Sequence, residues 1–315
     1  MRKYALVLLK VVIVAGCLWY IYDRMLHFRM AYGPIRLLQI DWALNPVVLV
    51  VCMVIIALLN WAFEAQKWRV LFSSEFQQSL GSAMKTVLLA LAGGILTPGK
   101  VGEYGARAML VPQAVRWLAV GRQWLNTYGQ TLITSLVAGI PAAIYLTMVP
   151  EAPAWAFWTF LGIWLALQYP AYLLYRDGGE WLARLIPAAW SNWMHRIPSG
   201  SQLSSSVLHA NLRWALLRYV TYSVGNILIW FALGIHPNIL LIACVVQANF
   251  ILSIIIPVAS ILSIVVRSGT AIALAEPLGM SPDKVLLASF LNWAFQTLLP
   301  LMAGLLLLIK HPIKR

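Results

Sequence analysis

Gly93-Gly94-Ile95-Leu96-Thr97-Pro98-Gly99-Lys100-Val101-Gly102-Glu103-Tyr104-Gly105-Ala106-Arg107 is the stretch on which the fold turns. It ends an apolar run that starts at Met84, breaks it with glycine and proline, and sets three charges directly beside it. About 20 consecutive apolar residues read as a transmembrane helix, whereas about 10 to 14 read as a buried or re-entrant element. Thr97 suits an N-cap and Pro98 a first helical position, so a short helix is expected to start here with its positive dipole end near membrane depth. On that helix Lys100, Glu103 and Arg107 share one face at i, i+3 and i+7. Gly99, Gly102 and Ala106 form a small-residue face that lets another helix approach closely. A charge at the bilayer centre costs roughly 2.5 to 3.5 kcal/mol on insertion scales, so three facing lipid would cost on the order of 8 to 10 kcal/mol. These side chains are therefore expected to face one another, water or a ligand. Gly94 to Lys100 also fits G-x-x-x-x-G-K, but Val101 replaces the Ser or Thr that would hold Mg²⁺ and the context is apolar, so nucleotide binding is not expected.

The rest of the chain sets this break in a membrane. Of 315 residues 61% are apolar and 10% charged, against about 45 to 50% and 25% in soluble globular chains. That excludes a soluble protein, a disordered chain and a disulfide scaffold. A net charge of +13 would suggest nucleic acid in a soluble chain, but here it reads as topology, with basic residues gathered in cytoplasmic loops, and no nucleic-acid partner is expected. Cys17, Cys52 and Cys244 lie in apolar runs without C-x-x-C spacing.

Eight hydrophobic segments follow: 4–22, 47–63, 84–96, 124–147, 154–175, 214–233, 239–256 and 285–309. The first begins like a signal peptide, but its apolar run continues past Cys17 and is expected to remain as an uncleaved span. Segments 84–96 and 239–256 break at Thr97-Pro98-Gly99 and at Pro257, each followed by a second short apolar stretch. The expectation is an all-α polytopic membrane protein forming a single transmembrane domain over 1–315, with six full spans plus two re-entrant broken-helix hairpins, at about 84–111 and 239–278. With this count sixteen Lys and Arg fall on the cytoplasmic side and four outside, so a multi-pass protein of the cell (inner) membrane with both termini in the cytoplasm is expected. The two hairpins then enter from opposite sides, as in an inverted repeat. Residues 178–196 read as an interfacial amphipathic helix, and tryptophans near span ends, among them Trp61, Trp68, Trp117 and Trp155, read as an aromatic belt.

Polar residues recur at helical steps: Asn60 and Glu64; Arg122, Asn126, Gln130 and Thr134; Arg218, Tyr222 and Asn226; Asn292 and Gln296. They are expected to converge on the bundle interior, singly as helix glue and together as a polar cavity. Asn249, Ser253, Ser260, Ser263 and Arg267 repeat the pattern across Pro257.

The chain resembles the transmembrane region of lysylphosphatidylglycerol synthase and its stand-alone flippase-like relatives. The resemblance rests on Asn60-Trp61 with Glu64 and Lys67-Trp68, on Thr97-Pro98 with Gly102-Glu103-Tyr104-Gly105 and Arg107, and more weakly on Pro257 with Arg267. It implies a polytopic bundle with two re-entrant elements that moves lipids or lipid-linked saccharides across a membrane. Many relatives carry a glycine-rich turn and an Arg-Glu pair in the second half, where this chain has Ala259-Ser260-Ile261-Leu262 and Arg267-Ser268. Neither the aminoacyl-transfer nor the glycosyltransferase activity of longer relatives carries over.

The expected function is flippase-like transport of an anionic phospholipid or a polyprenyl-phosphate-linked lipid at a midplane site. Lys100, Arg107 and Arg267 would hold the phosphate, Glu103 and Glu64 would supply countercharge, and Tyr104 and Lys67 would line the site. Thr97, Pro98, Gly99, Gly102, Gly105 and Pro257 would form the structural breaks. Membrane lipids, and a lipid-synthesising enzyme, are the expected partners. The alternatives are a membrane-embedded lipid-modifying transferase and a non-catalytic envelope-synthesis scaffold. Against the transferase stand four scattered aspartates with no D-x-D, five histidines with no H-E-x-x-H, and no G-x-S-x-G, so neither a metal nor another cofactor is expected.

Overall fold

A computed structural model describes residues 19, 22–23, 42–94, 101–177, 203–256 and 263–310. Among them the chain is all helical, with ten α-helices: α1 Pro46–Val70, α2 Leu80–Gly94, α3 Val101–Met109, α4 Arg116–Met148, α5 Ala154–Asp177, α6 Ser205–Ala232, α7 Ile239–Ile255, α8 Ser263–Ala275, α9 Pro282–Trp293 and α10 Leu299–Lys310. A π-helical turn, Ala294–Leu298, joins α9 to α10 without a break in the rod. Five stretches are long and apolar enough to cross a membrane: Pro46–Val70, Gln113–Met148, Ala154–Asp177, Ser205–Ala232 and Pro282–Ile309. The protein is therefore a multi-pass helical membrane protein. All of the expected segment 4–22 but Trp19 and Tyr22, the amphipathic helix 178–196, the breaks Thr97, Pro98, Gly99 and Pro257, and Lys100 lie outside the described residues.

Local sequence explains the helix starts. Asn45 caps α1 by accepting from the Val47 amide, with Pro46 in the first turn, where a missing N–H costs nothing. Asn238 does the same for α7, accepting from the Leu240 and Leu241 amides. Pro141 and Pro170 sit inside α4 and α5. Packed membrane helices tolerate this because neighbouring groups can satisfy the freed carbonyls. α2 and α7, with 15 and 17 residues, are shorter than the five spans; at 1.5 Å per residue they reach only about 22 to 26 Å of the roughly 30 Å hydrocarbon core.

The packing has a regular order. α1 and α6 form the central pair and run antiparallel, tied at one end by the Ala43 amide donating to the Ala232 carbonyl. α2 packs on α1, α3 and α10; α7 packs on α6, α8 and α4. α3 then leans on α4, as α8 leans on α9. Small residues allow these approaches. Gly94 ends α2 so close to α3 that a Cβ there would lie 2.7 Å from the Glu103 Cβ and 2.9 Å from its amide nitrogen. On the other side of α2, a Cβ at Gly304 would run into the Leu88 carbonyl. α5 stands at the rim, packing on α4 and presenting Trp155, Trp158, Leu165 and Leu167 outward. In hydrocarbon this outward apolar face needs no protein cover.

Three expectations change. Gly102 and Gly105 lie within the continuous helix α3 rather than at a break. Lys67, Arg122 and Arg218 turn into the bundle and pair with carboxylates there rather than serving as loop cations, being 0%, 5% and 23% exposed at the side chain. That reduces the cytoplasmic count of sixteen to thirteen without reversing it. Trp61 and Trp68 are buried, unlike the exposed Trp117 and Trp155, so they leave the aromatic belt for the interior.

Candidate functional site

The polar stripes do converge, and Glu64 is where they meet. α1 carries Asn60, Glu64 and Lys67 on one buried face at i, i+4 and i+7. Glu64 lies six residues from the last residue of α1, in the half of the bundle where α1 ends and α4 and α6 begin. The cluster is thus offset from the middle of α1 rather than at its midplane.

Four side chains from four helices converge on this one carboxylate, three by hydrogen bond and one as an ion pair. Its Oε1 accepts from Arg107 Nη2 of α3 at 2.8 Å and from Asn126 Nδ2 of α4 at 2.7 Å. Its Oε2 accepts from Lys67 Nζ one turn along α1 at 3.2 Å and pairs with Arg218 Nη1 of α6 at 2.9 Å. Arg107 Nη2 also donates to Glu103 Oε1, one turn back on α3, at 2.8 Å. Gln123 Nε2 reaches that same oxygen at 3.3 Å. Lys67 Nζ donates to Gln130 Oε1 at 3.1 Å, and the Lys67 carbonyl accepts from Asn211 Nδ2. Both arginines stack on indoles of α1: the guanidinium carbon of Arg107 lies 4.8 Å from the ring centre of Trp68, and that of Arg218 5.6 Å from Trp61. Each is thus held between a carboxylate and an aromatic face, and both contacts favour the charged guanidinium.

Two properties set this cluster apart from helix glue. Three cations, Lys67, Arg107 and Arg218, face two carboxylates, Glu64 and Glu103, leaving one positive charge in excess among the described residues. Donors are also left over: Nε and Nη1 of Arg107, Nε of Arg218 and Nε1 of Trp68 are buried without a hydrogen-bond partner. A buried donor left unpaired costs about 1 to 3 kcal/mol, and more when charged. Surplus charge and surplus donors together describe a place that favours an anion.

The network extends one turn toward the other end of the bundle. Asn60 Nδ2 donates to Gln296 Oε1 at 2.9 Å, and Trp61 Nε1 donates to the Gln296 carbonyl at 3.0 Å. Gln296 sits in the π-helical turn, a local widening that recurs at functional sites in helices. Asn60→Ala is expected to lower stability by about 0.6 to 1.7 kcal/mol, between the mean and the maximum found for interhelical hydrogen bonds in a membrane bundle. An unchanged thermal unfolding midpoint in detergent would show that α1 and the π-turn are not joined there.

Of the residues expected at the site, Glu64, Lys67, Glu103 and Arg107 are brought together. Tyr104 lies half-buried on α3 beside Thr127 of α4. Arg267 does not join them: its Nη1 donates to the Tyr222 hydroxyl at 2.9 Å, and that hydroxyl also accepts from Asn292 Nδ2. Asn249 Nδ2 donates to the Arg267 carbonyl, and Thr270 Oγ1 donates to Asn249 Oδ1. Arg218, read from sequence only as part of a stripe, and Gln123, in no stripe, belong to the cluster. Their signal was spacing, since Arg218 precedes Tyr222 by four and Gln123 precedes Asn126 by three. Arg122 instead pairs with Glu75 in the loop after α1. Among the described residues no three His, Cys, Asp or Glu side chains come together as metal ligands. Against protein-family models, curated proteins and solved structures, the chain gives no match.

Proposed function

We propose that the protein is a flippase-like transporter that carries an anionic phospholipid or a polyprenyl-phosphate-linked lipid across the cell membrane, binding the phosphate at the Glu64–Arg107–Arg218 cluster. The observation that carries this reading is the excess positive charge together with the unpartnered donors of Arg107 and Arg218 at a buried meeting point of spans. Intramembrane charges of this kind are expensive and mark substrate pathways. The resemblance to the lysylphosphatidylglycerol synthase transmembrane-region family points the same way.

The short pairs α2–α3 and α7–α8 serve in this reading as two re-entrant hairpins of an inverted repeat. Their reciprocal packing supports it: the first arm of each hairpin lies on the last span of the other half, α2 on α10 and α7 on α4. Such repeats build binding sites at their interface and expose them alternately by rocking. Both termini are placed in the cytoplasm, since most Lys and Arg still fall on that side. Membrane lipids are the partners of this cycle, with an enzyme that synthesises the lipid as a natural supplier.

Reconstituted in liposomes with fluorescent phosphatidylglycerol or polyprenyl phosphate, the protein is expected to raise the label's accessibility to a membrane-impermeant quencher. Arg218→Ala, which removes a side chain 23% exposed, should slow that exposure about tenfold or more, because truncating one member of a paired charge in a binding site costs about 2 to 5 kcal/mol. No exposure beyond that of protein-free liposomes, with and without a proton gradient, would refute transport. A new product formed from the labelled lipid would favour the transferase.

A further inference from the structure

Glu64 has an arrangement unusual for a countercharge. A carboxylate neutralising one arginine needs one partner, yet Glu64 takes donors from Arg107, Arg218, Lys67 and Asn126, which arrive from three other helices and from its own. Two guanidiniums, an ammonium and an amide converging on two oxygens form a donor set suited to the two free oxygens of a phosphate. Glu103, by contrast, accepts from Arg107 and Gln123, one guanidinium and one amide. The charge count adds a class. With both carboxylates ionised the described cluster carries one positive charge too many. While Glu64 still holds its own donors, a phosphodiester arriving at the spare ones brings the cluster to neutrality with its single negative charge, whereas a dianionic phosphomonoester overshoots.

We propose that Glu64 is the resident anion of a phosphodiester site: its carboxylate occupies the donors that a singly charged lipid headgroup takes over, and the two exchange during each cycle. This deepens the transporter reading and rests on it. The unpartnered Nε and Nη1 of Arg107 and Nε of Arg218 supply the first foothold, because they can bind the incoming phosphate while Nη2 and Nη1 still hold Glu64. Transfer of the remaining donors then releases the carboxylate, and return of Glu64 expels the headgroup. A carboxylate as built-in competitor keeps the site from holding its cargo too tightly to let go.

The test compares Glu64→Gln with Glu103→Gln in full-length protein in nanodiscs, measuring retention of phosphatidylglycerol, a phosphodiester, against phosphatidic acid, a phosphomonoester. Glu64→Gln is expected to bind phosphatidylglycerol about tenfold or more tightly than wild type, since removing a like charge from a water-poor site is worth at least that much. It should also translocate the lipid more slowly, because nothing displaces it. Glu103→Gln removes the same charge but not the resident anion, so its affinity for phosphatidylglycerol should rise less than that of Glu64→Gln. Glu64→Asp, which keeps the charge one methylene short of its donors, should bind more tightly than wild type and provides the reading if Glu64→Gln does not fold. Equal gains from Glu64→Gln and Glu103→Gln, weaker binding by Glu64→Asp, or a preference for phosphatidic acid would each overturn the proposal. If wild type translocates while these results appear, only the exchange fails; if wild type neither binds nor moves any lipid, the transporter reading fails with it.

Discussion

Arg107→Ala is expected to destabilise the protein by about 3 to 5 kcal/mol, the range for breaking a buried ion pair by removing one partner. A residue that did nothing but hold the phosphate could be truncated with the fold intact. The environment of Arg107 argues otherwise. The side chain is fully buried, and its Nη2 alone bridges Glu64 of α1 and Glu103 of its own helix. Alanine would leave Glu103 facing Gln123 and remove the contact with Trp68. Adding Glu103→Gln to Arg107→Ala should recover part of the loss, because the stranded charge disappears with it.

The more informative variant is Arg107→Lys. Since a single guanidinium nitrogen serves both carboxylates, an ammonium there can keep the ionic bridge, and stability should fall by no more than about 1 to 2 kcal/mol. The lysine brings nothing equivalent to the unpartnered Nε and Nη1, however, and a point charge does not reproduce their fork. Lipid exposure in liposomes should therefore drop at least about tenfold while the thermal midpoint moves little. Transport at the wild-type rate by Arg107→Lys would remove the spare donors from the mechanism; a large fall in its thermal midpoint would make them structural.

How far the sequence reached depends on the range of the interactions concerned. Helices were legible because their signals are local: apolar runs near 47–63, 154–175 and 214–233 appear within α1, α5 and α6. Their true ends were not. α1 continues past its apolar run through Glu64 and Lys67 to Val70, since charges that neutralise one another across helices do not stop a helix as charges facing lipid would. The partners at the site were partly legible, because an i, i+4 stripe shows that residues share a face but not which face they meet. Glu64, Arg107 and Asn126 could be expected inside; that all three share one carboxylate oxygen is a long-range fact, with 43 and 62 residues between the partners. Arg267 failed for the same reason. Its helix pattern matches that of Arg107, but the Tyr222 hydroxyl intercepts it.

Gly94→Ala is expected to cost about 1 to 3 kcal/mol by overpacking and to disable the site as well. The added methyl would meet the Cβ, amide nitrogen and Cα of Glu103 at 2.7, 2.9 and 3.1 Å, and two of these are backbone atoms that no rotamer change can move. The arms α2 and α3 must separate instead, and the atom pushed first belongs to the residue that anchors Arg107. Glu103 then withdraws from Arg107 and Gln123, so the loss should appear in both thermal unfolding and lipid exposure. Gly105, on the same short helix, is the matched control. Nothing lies within 4 Å of a Cβ built there, so Gly105→Ala should be neutral or stabilising by up to about 1 kcal/mol through helix propensity alone. If both substitutions behave alike, α2 does not press against α3 at this point, and the close packing of the hairpin cannot be what holds Glu103 in place. If they diverge as expected, the glycine preserves a separation at which Arg107 can span two carboxylates and still keep donors in reserve.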